Sequence, residues 1–167
     1  MAVPFTYLDK YIAEIYKTMR SSGLFLSSGF EHANTIPMSF LMFGTFCNRP
    51  VALAPIRVPR YTHELLEQTG VFTLSVPRKD LTRELSAAGI ISGREHDKFT
   101  ELHLHPAKAR RVSAYIVADC GLHLECRVIY KDPIITENLA PDVINELHHR
   151  GSNYTMYYGE ILDIYET

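Results

Sequence analysis

Two stretches of this sequence carry the residue types that bind phosphate groups and other small anions. In the first, Arg60 and Thr62 stand at the start of a predicted helix; in the second, residues 92–98 have the sequence Ser-Gly-Arg-Glu-His-Asp-Lys. A guanidinium, hydroxyls and the free amides of a helix start all donate hydrogen bonds to an anion, and glycine allows the backbone to come close to it. Taken alone, the second stretch also fits an ordinary surface ion pair between Arg94 and Asp97.

Other chemical motifs are incomplete. His63 and the glutamate after it open a helix as in a zinc protease, but the second histidine that this motif requires is absent. His103 and His105 would point the same way on an extended strand, yet no third ligand follows at convincing spacing. The glycine motifs of Rossmann and P-loop sites and the serine elbow of hydrolases are absent from the sequence. We therefore predict no metal site and no catalytic acid, base or nucleophile.

The composition restricts the class of protein. A chain of 167 residues with 46% hydrophobic content is predicted to form a single domain over residues 1–167. A net charge of -2 gives no basic field for nucleic acid. No apolar stretch approaches the ~20 residues of a membrane helix, and no signal peptide is evident, so we expect a soluble cytoplasmic protein. The odd number of cysteines, Cys47, Cys120 and Cys126, predicts buried free thiols.

Three helices are predicted in the first half of the chain. Apolar residues at helical spacing indicate an amphipathic helix over residues 6–21, with Thr6 as its N-cap. A shorter helix is predicted at 62–68, where Thr62 is the candidate N-cap, and another at 81–88. These helices must pack on whatever the apolar runs between them form.

Short apolar runs bounded by glycine, proline and asparagine predict strands. Apolar and polar positions alternate over residues 122–130, as in a half-buried strand, and Gly159 is a candidate bulge in the last strand. Many short strands with few helices favour a mainly β protein with flanking helices, built as a closed or partly closed antiparallel barrel. The predicted strands are 24–26, 36–43, 51–58, 71–76, 122–130 and 154–165, with a further helix at 141–149.

Four groups of residues together resemble one known family. The most specific of the four is residues 92–99, Ser-Gly-Arg-Glu-His-Asp-Lys-Phe, which is similar to the family's Ser-Gly-Arg-Asp-x-Asp-Lys-Phe. The family is that of the flavin reductase-like, FMN-binding split-barrel proteins, in the branch that includes flavoredoxins. The four groups are residues 34–40 with 44–50, residues 56–62 with 70–77, residues 92–99, and residues 124–126 with 158–161.

The resemblance implies a fold, a cofactor and two alternative functions. It implies an FMN-binding split β-barrel over residues 24–165 and a homodimer with the flavin near the subunit interface. One function is that of an NAD(P)H-dependent flavin oxidoreductase, in which the cofactor carries the chemistry. The other is that of a non-enzymatic FMN electron carrier acting with a protein partner. FAD in place of FMN, and a barrel that has lost its flavin, remain further alternatives.

The predicted cofactor residues fall into two groups. The anion-binding stretches are expected to hold the phosphate, and the resemblance implies that the segment beginning at Asn34 offers backbone amides to the ring. Pro37 stands where the family commonly has threonine, Phe40 and Cys47 where it has tryptophan, and Tyr154 where it has histidine. The predicted cofactor residues are Asn34, Thr35, Pro37, Met38, Ser39, Arg60, Thr62, Ser92, Gly93, Arg94 and Lys98.

Overall fold

A seven-stranded antiparallel sheet dominates the computed structural model, which describes residues 4–148 and 153–167. Its strands are hydrogen-bonded in the order β2-β1-β5-β8-β9-β4-β3, and β6 and β7 form a separate pair. The edge strands β2 and β3 are not paired with each other, so the sheet is not closed. The strands are β1 (Leu24–Ser28), β2 (Asn34–Met38), β3 (Met42–Phe46), β4 (Arg49–Arg57), β5 (Val71–Val76), β6 (Pro106–Lys108), β7 (Tyr115–Val117), β8 (Leu122–Pro133) and β9 (Tyr154–Glu166).

Helices flank this sheet, which confirms the predicted mainly β class. The first helix begins one residue before its predicted start, directly after Pro4, and has no side-chain cap; the N-cap role predicted for Thr6 is wrong. Gly23 follows the helix with a positive φ of 87° and donates its amide to Thr18. The helices are α1 (Phe5–Ser21), α2 (Tyr61–Thr69), α3 (Thr82–Ile90), α4 (Lys98–Glu101) and α5 (Pro141–His148), with a short 3-10 helix at Thr136–Asn138. Residue 149 of the predicted last helix lies outside the described residues.

The predicted strand over residues 36–43 is wrong, because the apolar run is divided. β2 ends at Met38 and β3 begins at Met42. These two strands lie at opposite edges of the sheet, so the three residues between them cross from one edge to the other. The open side of the barrel is therefore bordered by the same segment that was predicted to meet a flavin ring.

A two-residue turn joins β3 to β4. Phe46 pairs with Arg49, and the residues between them, Cys47 and Asn48, have φ values of 50° and 57°. Positive φ at both central residues is the geometry of a tight hairpin turn. Cys47 is consequently exposed, against the prediction of a buried thiol, whereas Cys120 and Cys126 are buried as predicted.

Gly159 lies at a shift of register and is closely packed. Val128 of β8 pairs with Gly159 and Tyr130 pairs with Tyr158, so the irregularity predicted at Gly159 is present, with its extra residue on β8. A Cβ atom at Gly159 would lie 2.4 Å from the ring of Phe72. The glycine therefore lets a core ring pack directly on the last strand.

A buried histidine makes the stability of this fold depend on pH. His123 is fully buried between Ser75 and Thr167, to which its ring nitrogens hydrogen-bond at 3.0 and 3.1 Å. Burial lowers the pKa of His123 from 6.5 to about 4. The folded state favours the neutral ring of His123, whereas the unfolded chain takes up a proton near pH 6.5. The free energy of unfolding that this histidine contributes is therefore fully present above pH 6.5 and is lost as the pH falls towards 4.

We expect the free energy of unfolding to fall by up to about 3 kcal/mol between pH 6.5 and 4 from this group. Urea unfolding at pH 7.5 and at pH 4.5 measures the change. A His123→Gln variant should lose most of the difference; an unchanged difference would show that other groups cause it.

Candidate ligand-binding site

The two predicted anion-binding stretches lie on either side of one cavity of about 190 Å³. This cavity is formed where the start of α2, the end of α3 and the loop before α4 approach β2. Among the described residues, three cationic side chains and no carboxylate line it. Of the predicted cofactor residues, those that line the cavity are Asn34, Arg60, Ser92, Gly93, Arg94 and Lys98.

Arg60 connects the helices on two sides of the cavity. Its backbone is extended (φ -72°, ψ 138°) and forms the N-cap of α2, so the N-cap role predicted for Thr62 is wrong. One guanidinium nitrogen donates to the carbonyl of Gly89 near the end of α3 at 2.9 Å. Partial burial, and then the charge of Arg57, lower the pKa of Arg60. Among the described residues Arg60 has no carboxylate partner within ion-pair distance, so its charge remains available to an anion.

Lys98 brings a second, buried cation to the cavity. The residue is only 2% exposed. Its ammonium donates to the carbonyls of Thr35 at 3.0 Å and Ala88 at 2.8 Å. Burial, and then the charge of Arg60, lower the pKa of Lys98 to about 8. A buried ammonium with carbonyl partners alone is poorly compensated, and an anion in the cavity would stabilise its charged form.

The backbone of Gly93 packs directly against the side chain of Asn34. A Cβ atom at Gly93 would lie 2.2 Å from Oδ1 of Asn34, so only glycine fits here. The amide nitrogen of Asn34 donates to the buried hydroxyl of Thr62 at 2.8 Å. Its Oδ1 is the one buried side-chain polar atom without a hydrogen-bond partner in the described part of the chain. An orphaned acceptor at a cavity wall is suited to a donor from a ligand.

Arg94 lies at the rim of the cavity. Its guanidinium donates to the carbonyl of Pro59 at 2.9 Å and to the carboxylate of Glu64 at 3.0 Å. The alternative of an ion pair with Asp97 is wrong, because Asp97 caps α4 through the amides of Phe99 and Thr100. Arg94 therefore holds its loop against α2.

The other predicted cofactor residues lie outside the cavity lining. Thr62 supports Asn34 from behind, and Thr35 accepts from Lys98 through its carbonyl. Pro37 lies on the edge strand β2, where a missing amide is best tolerated, and contacts Gly89. Met38 is buried in the hydrophobic core, and Ser39 is exposed beyond the end of the strand.

Sequence reasoning missed the apolar part of the lining. Tyr61, Ile90 and Ile91 line the cavity beside the cations, and Ile90 is 84% exposed. The signal was an isoleucine pair directly before the Ser-Gly-Arg loop, where a solvated loop would be polar. Within residues 4–148 and 153–167, no cluster of three or more histidine, cysteine or acidic residues is placed to hold a metal ion.

Comparison with known proteins decides the family. The model of the flavin reductase like domain matches residues 21–167. This chain belongs to that family. The assignment confirms the family resemblance of the sequence motifs, and it covers the sheet, α2 to α5 and every residue of the cavity. No helix in the described part of this flavin reductase-like protein is long and apolar enough to cross a membrane.

Individual relatives of this flavin reductase-like chain are distant. An uncharacterized protein of Archaeoglobus fulgidus is 30% identical over 102 residues, which are 61% of this chain and 57% of that protein. Flavoredoxin of Desulfovibrio vulgaris is 23% identical, with a TM-score of 0.68 over 87% of this chain and 70% of the flavoredoxin. The NADH:FAD oxidoreductase SgcE6 of Streptomyces globisporus is 14% identical, with a TM-score of 0.67 over 100% of this chain and 87% of that protein. The solved structures confirm the split-barrel fold.

Proposed function

We propose that this flavin reductase-like protein binds FMN, with the phosphate in the cavity between Arg60 and Lys98. The observation that carries the proposal is a cavity lined by three cationic side chains and no carboxylate. A volume of about 190 Å³ is below the ~300 Å³ of a small drug-sized site, so it suits the phosphate end of the cofactor rather than the whole of it. The unpartnered Oδ1 of Asn34 would accept a hydrogen bond from a ribityl hydroxyl.

The ring of FMN is proposed to lie along the free edge of β2. This strand has β1 as its single partner in the sheet, and an edge strand presents unpaired amides and carbonyls. Such groups would orient the polar edge of the ring, although Pro37 removes one donor and the carbonyl of Thr35 already accepts from Lys98. When bound, FMN supplies the hydride and electron chemistry, so the protein needs to bind, orient and shield it.

The colour of the purified protein tests flavin binding directly. Protein purified without added flavin should be yellow, or should become yellow with FMN and keep the colour through gel filtration. Colourless protein after both treatments would favour a barrel that has lost its flavin.

Arg60→Ala tests the phosphate site. We expect FMN binding to weaken by about 1.5–3 kcal/mol, because a charged hydrogen bond to the phosphate is lost. Isothermal titration calorimetry measures the change in FMN affinity. The matched control is Arg83→Ala, which removes an exposed arginine of α3. Equal affinity in the two variants would remove Arg60 from the site.

We further propose that the protein is an NAD(P)H-dependent flavin oxidoreductase. Membership of the family and the likeness to the NADH:FAD oxidoreductase support this function, and the likeness to flavoredoxin supports an electron carrier as the second candidate. Mixing the FMN-loaded protein with NADH or NADPH without oxygen distinguishes them. Bleaching of the flavin absorbance is expected from the enzyme, whereas no bleaching with either nucleotide would leave the carrier.

A homodimer is proposed on the basis of one exposed apolar groove. The groove has a volume of about 450 Å³ and lies between α1 and the segment that enters β3. Tyr16 and Met42, which line it, are more than half exposed, and exposed apolar patches of this kind mark interaction surfaces. Sedimentation at working concentration should give twice the mass of the chain. The mass of one chain would contradict the dimer.

We also propose a cytoplasmic location. Cys47, Cys120 and Cys126 are free thiols, and unpaired cysteines are typical of a reducing compartment. Fractionation of cells that produce the protein tests this proposal; recovery from an oxidising compartment would contradict it.

A further inference from the structure

The hairpin of β6 and β7 carries a cluster of positive charge at its tip. Residues 108–113, the basic loop, have the sequence Lys-Ala-Arg-Arg-Val-Ser, and residues 102–118 include no acidic residue. The three cations of this loop, Lys108, Arg110 and Arg111, are exposed. In the described part of the chain, no carboxylate lies within ion-pair distance of them. The basic loop is therefore a local positive surface on a chain whose net charge is -2.

A buried carboxylate fixes the basic loop from beneath. Glu125 of β8 is fully buried and accepts hydrogen bonds from the amides of Arg110 and Arg111 at 2.6 Å each and of Val112 at 3.1 Å. The hydroxyl of Tyr165 donates to the same carboxylate at 2.8 Å. The guanidinium of Arg110 lies 3.6 Å from the centroid of the Tyr165 ring. The loop is therefore held in place without an ion pair to either arginine.

An exposed aromatic ring adjoins these cations. Phe30 is 41% exposed and stacks on Tyr115, with ring centroids 5.3 Å apart. The ammonium of Lys108 lies 5.5 Å from the centroid of the Phe30 ring. Phe30 also lines a pocket together with Gly93 and Arg94, whereas none of the three cations of the basic loop lines that pocket. The ring and the basic loop thus form one open surface beside the proposed flavin site.

We propose that this surface, Phe30 with the basic loop, is a docking site for an acidic protein partner. Arginine and aromatic side chains are enriched at the centres of protein interfaces, and unpaired cations attract a surface of opposite charge. A nucleic acid fits less well, because three cations neutralise few phosphates and the chain as a whole is negative. The inference goes beyond the proposed function, because the contacts that build this surface do not involve the phosphate cavity.

Titration with poly-L-glutamate at low ionic strength, where surface charges are weakly screened, tests the docking site. The loop variant is the triple substitution Lys108→Gln, Arg110→Gln, Arg111→Gln. We expect it to bind the polymer about tenfold more weakly than the wild type, because three exposed ion pairs are lost. The matched control removes three exposed cations of α1 and α3 by the substitutions Lys17→Gln, Arg20→Gln, Arg83→Gln. This control changes the net charge equally and should bind within about twofold of the wild type.

Glu125→Gln distinguishes a fixed loop from a general attraction of charge. The substitution removes a negative charge and weakens the hold on the amides of the basic loop. We expect about threefold weaker binding of poly-L-glutamate, because a loosened loop must be ordered again on binding. Tighter binding would show that net charge alone governs the attraction and would overturn the docking site. Equal loss in the two triple variants, which alter only exposed side chains, would overturn it as well.

Three further measurements separate other occupants and the flavin. A stiff DNA duplex placed on this surface would also meet Glu31 and Glu95 of the adjoining pocket, so we expect it to bind more weakly than poly-L-glutamate; tighter binding would overturn an acidic protein as the partner. A lower sedimenting mass of the loop variant would make the occupant a second copy of this chain and overturn it too. Flavin-free and FMN-loaded protein should bind the polymer equally, so a protein without affinity for FMN would refute the proposed function and retain the docking site.

Discussion

Replacing Gly93 with alanine is expected to weaken FMN binding by about 100-fold, which corresponds to about 2.7 kcal/mol. A Cβ atom at this position would lie 2.2 Å from Oδ1 and 2.5 Å from Cγ of Asn34. Since Asn34 is buried and held by the hydroxyl of Thr62 at 2.8 Å, either its side chain or the loop must move. Both movements change the wall of the proposed phosphate cavity. Fluorescence titration with FMN measures the loss.

Gly44→Ala is the matched control for this substitution. Gly44 lies in the edge strand β3, and a Cβ atom there would have no neighbour within 4 Å. We expect its FMN affinity to equal that of the wild type. Gly93→Ala should also unfold at a lower temperature, because overpacking costs about 1–3 kcal/mol. Equal FMN affinity in the two alanine variants would show that the contact between Gly93 and Asn34 does not shape a flavin site.

Lys98→Met is expected to weaken FMN binding by about 3 kcal/mol at pH 7, the upper end for a charged hydrogen bond. Lys98 is 2% exposed, so water screens the attraction of its ammonium to a phosphate weakly. Methionine has a similar length and removes the charge. Isothermal titration calorimetry gives the FMN affinity. The control for net charge is Lys79→Met, which removes an exposed lysine paired with Asp119.

The pH dependence of binding gives Lys98 a second test. Its pKa is lowered from 10.5 to about 8, so above pH 8 the cavity loses a positive charge and FMN affinity should fall by up to tenfold per pH unit. The stability of the flavin-free protein should change in the opposite direction. Between pH 8 and 10.5 the unfolded chain holds more protons at this lysine than the folded one, so its contribution to stability rises with pH. In Lys98→Met neither FMN affinity nor the stability of the flavin-free protein should change in this way with pH. If both still change, another titratable group causes the two effects.

The fold was largely predictable where local patterns determine it. Helix α1 and strand β5 have nearly their predicted bounds, because helical spacing in the first and a short run of branched and aromatic residues in the second are sufficient. The division of residues 36–43 was not predictable. Pro37 within the apolar run is compatible with an edge strand and does not mark the break after Met38, which occurs because the chain must pass from one edge of the sheet to the other. The three-residue strands β6 and β7 were missed because they contain too few residues to show a period.

The residue types of the candidate site were predictable from the sequence, and their arrangement was less so. The residue types of the two loops indicated an anion, and the structure brings both loops to one cavity. The burial of Lys98 depends on how α4 packs beneath β2, which no local pattern contains. Thr62 was predicted to cap a helix, yet its hydroxyl holds Asn34, a contact between residues that are distant in the chain. Tertiary packing, and not the local sequence, places Thr62 behind Asn34.

A single comparison tests most directly whether the cavity holds a phosphate. Riboflavin has the same ring and ribityl chain as FMN and differs from it in lacking the phosphate. We expect the wild type to bind FMN at least about 100-fold more tightly than riboflavin at pH 7, from two or more charged hydrogen bonds. The double variant Arg60→Ala, Lys98→Met should reduce that ratio to less than about tenfold. Equal affinities of the wild type for riboflavin and FMN would contradict a phosphate site between these two loops.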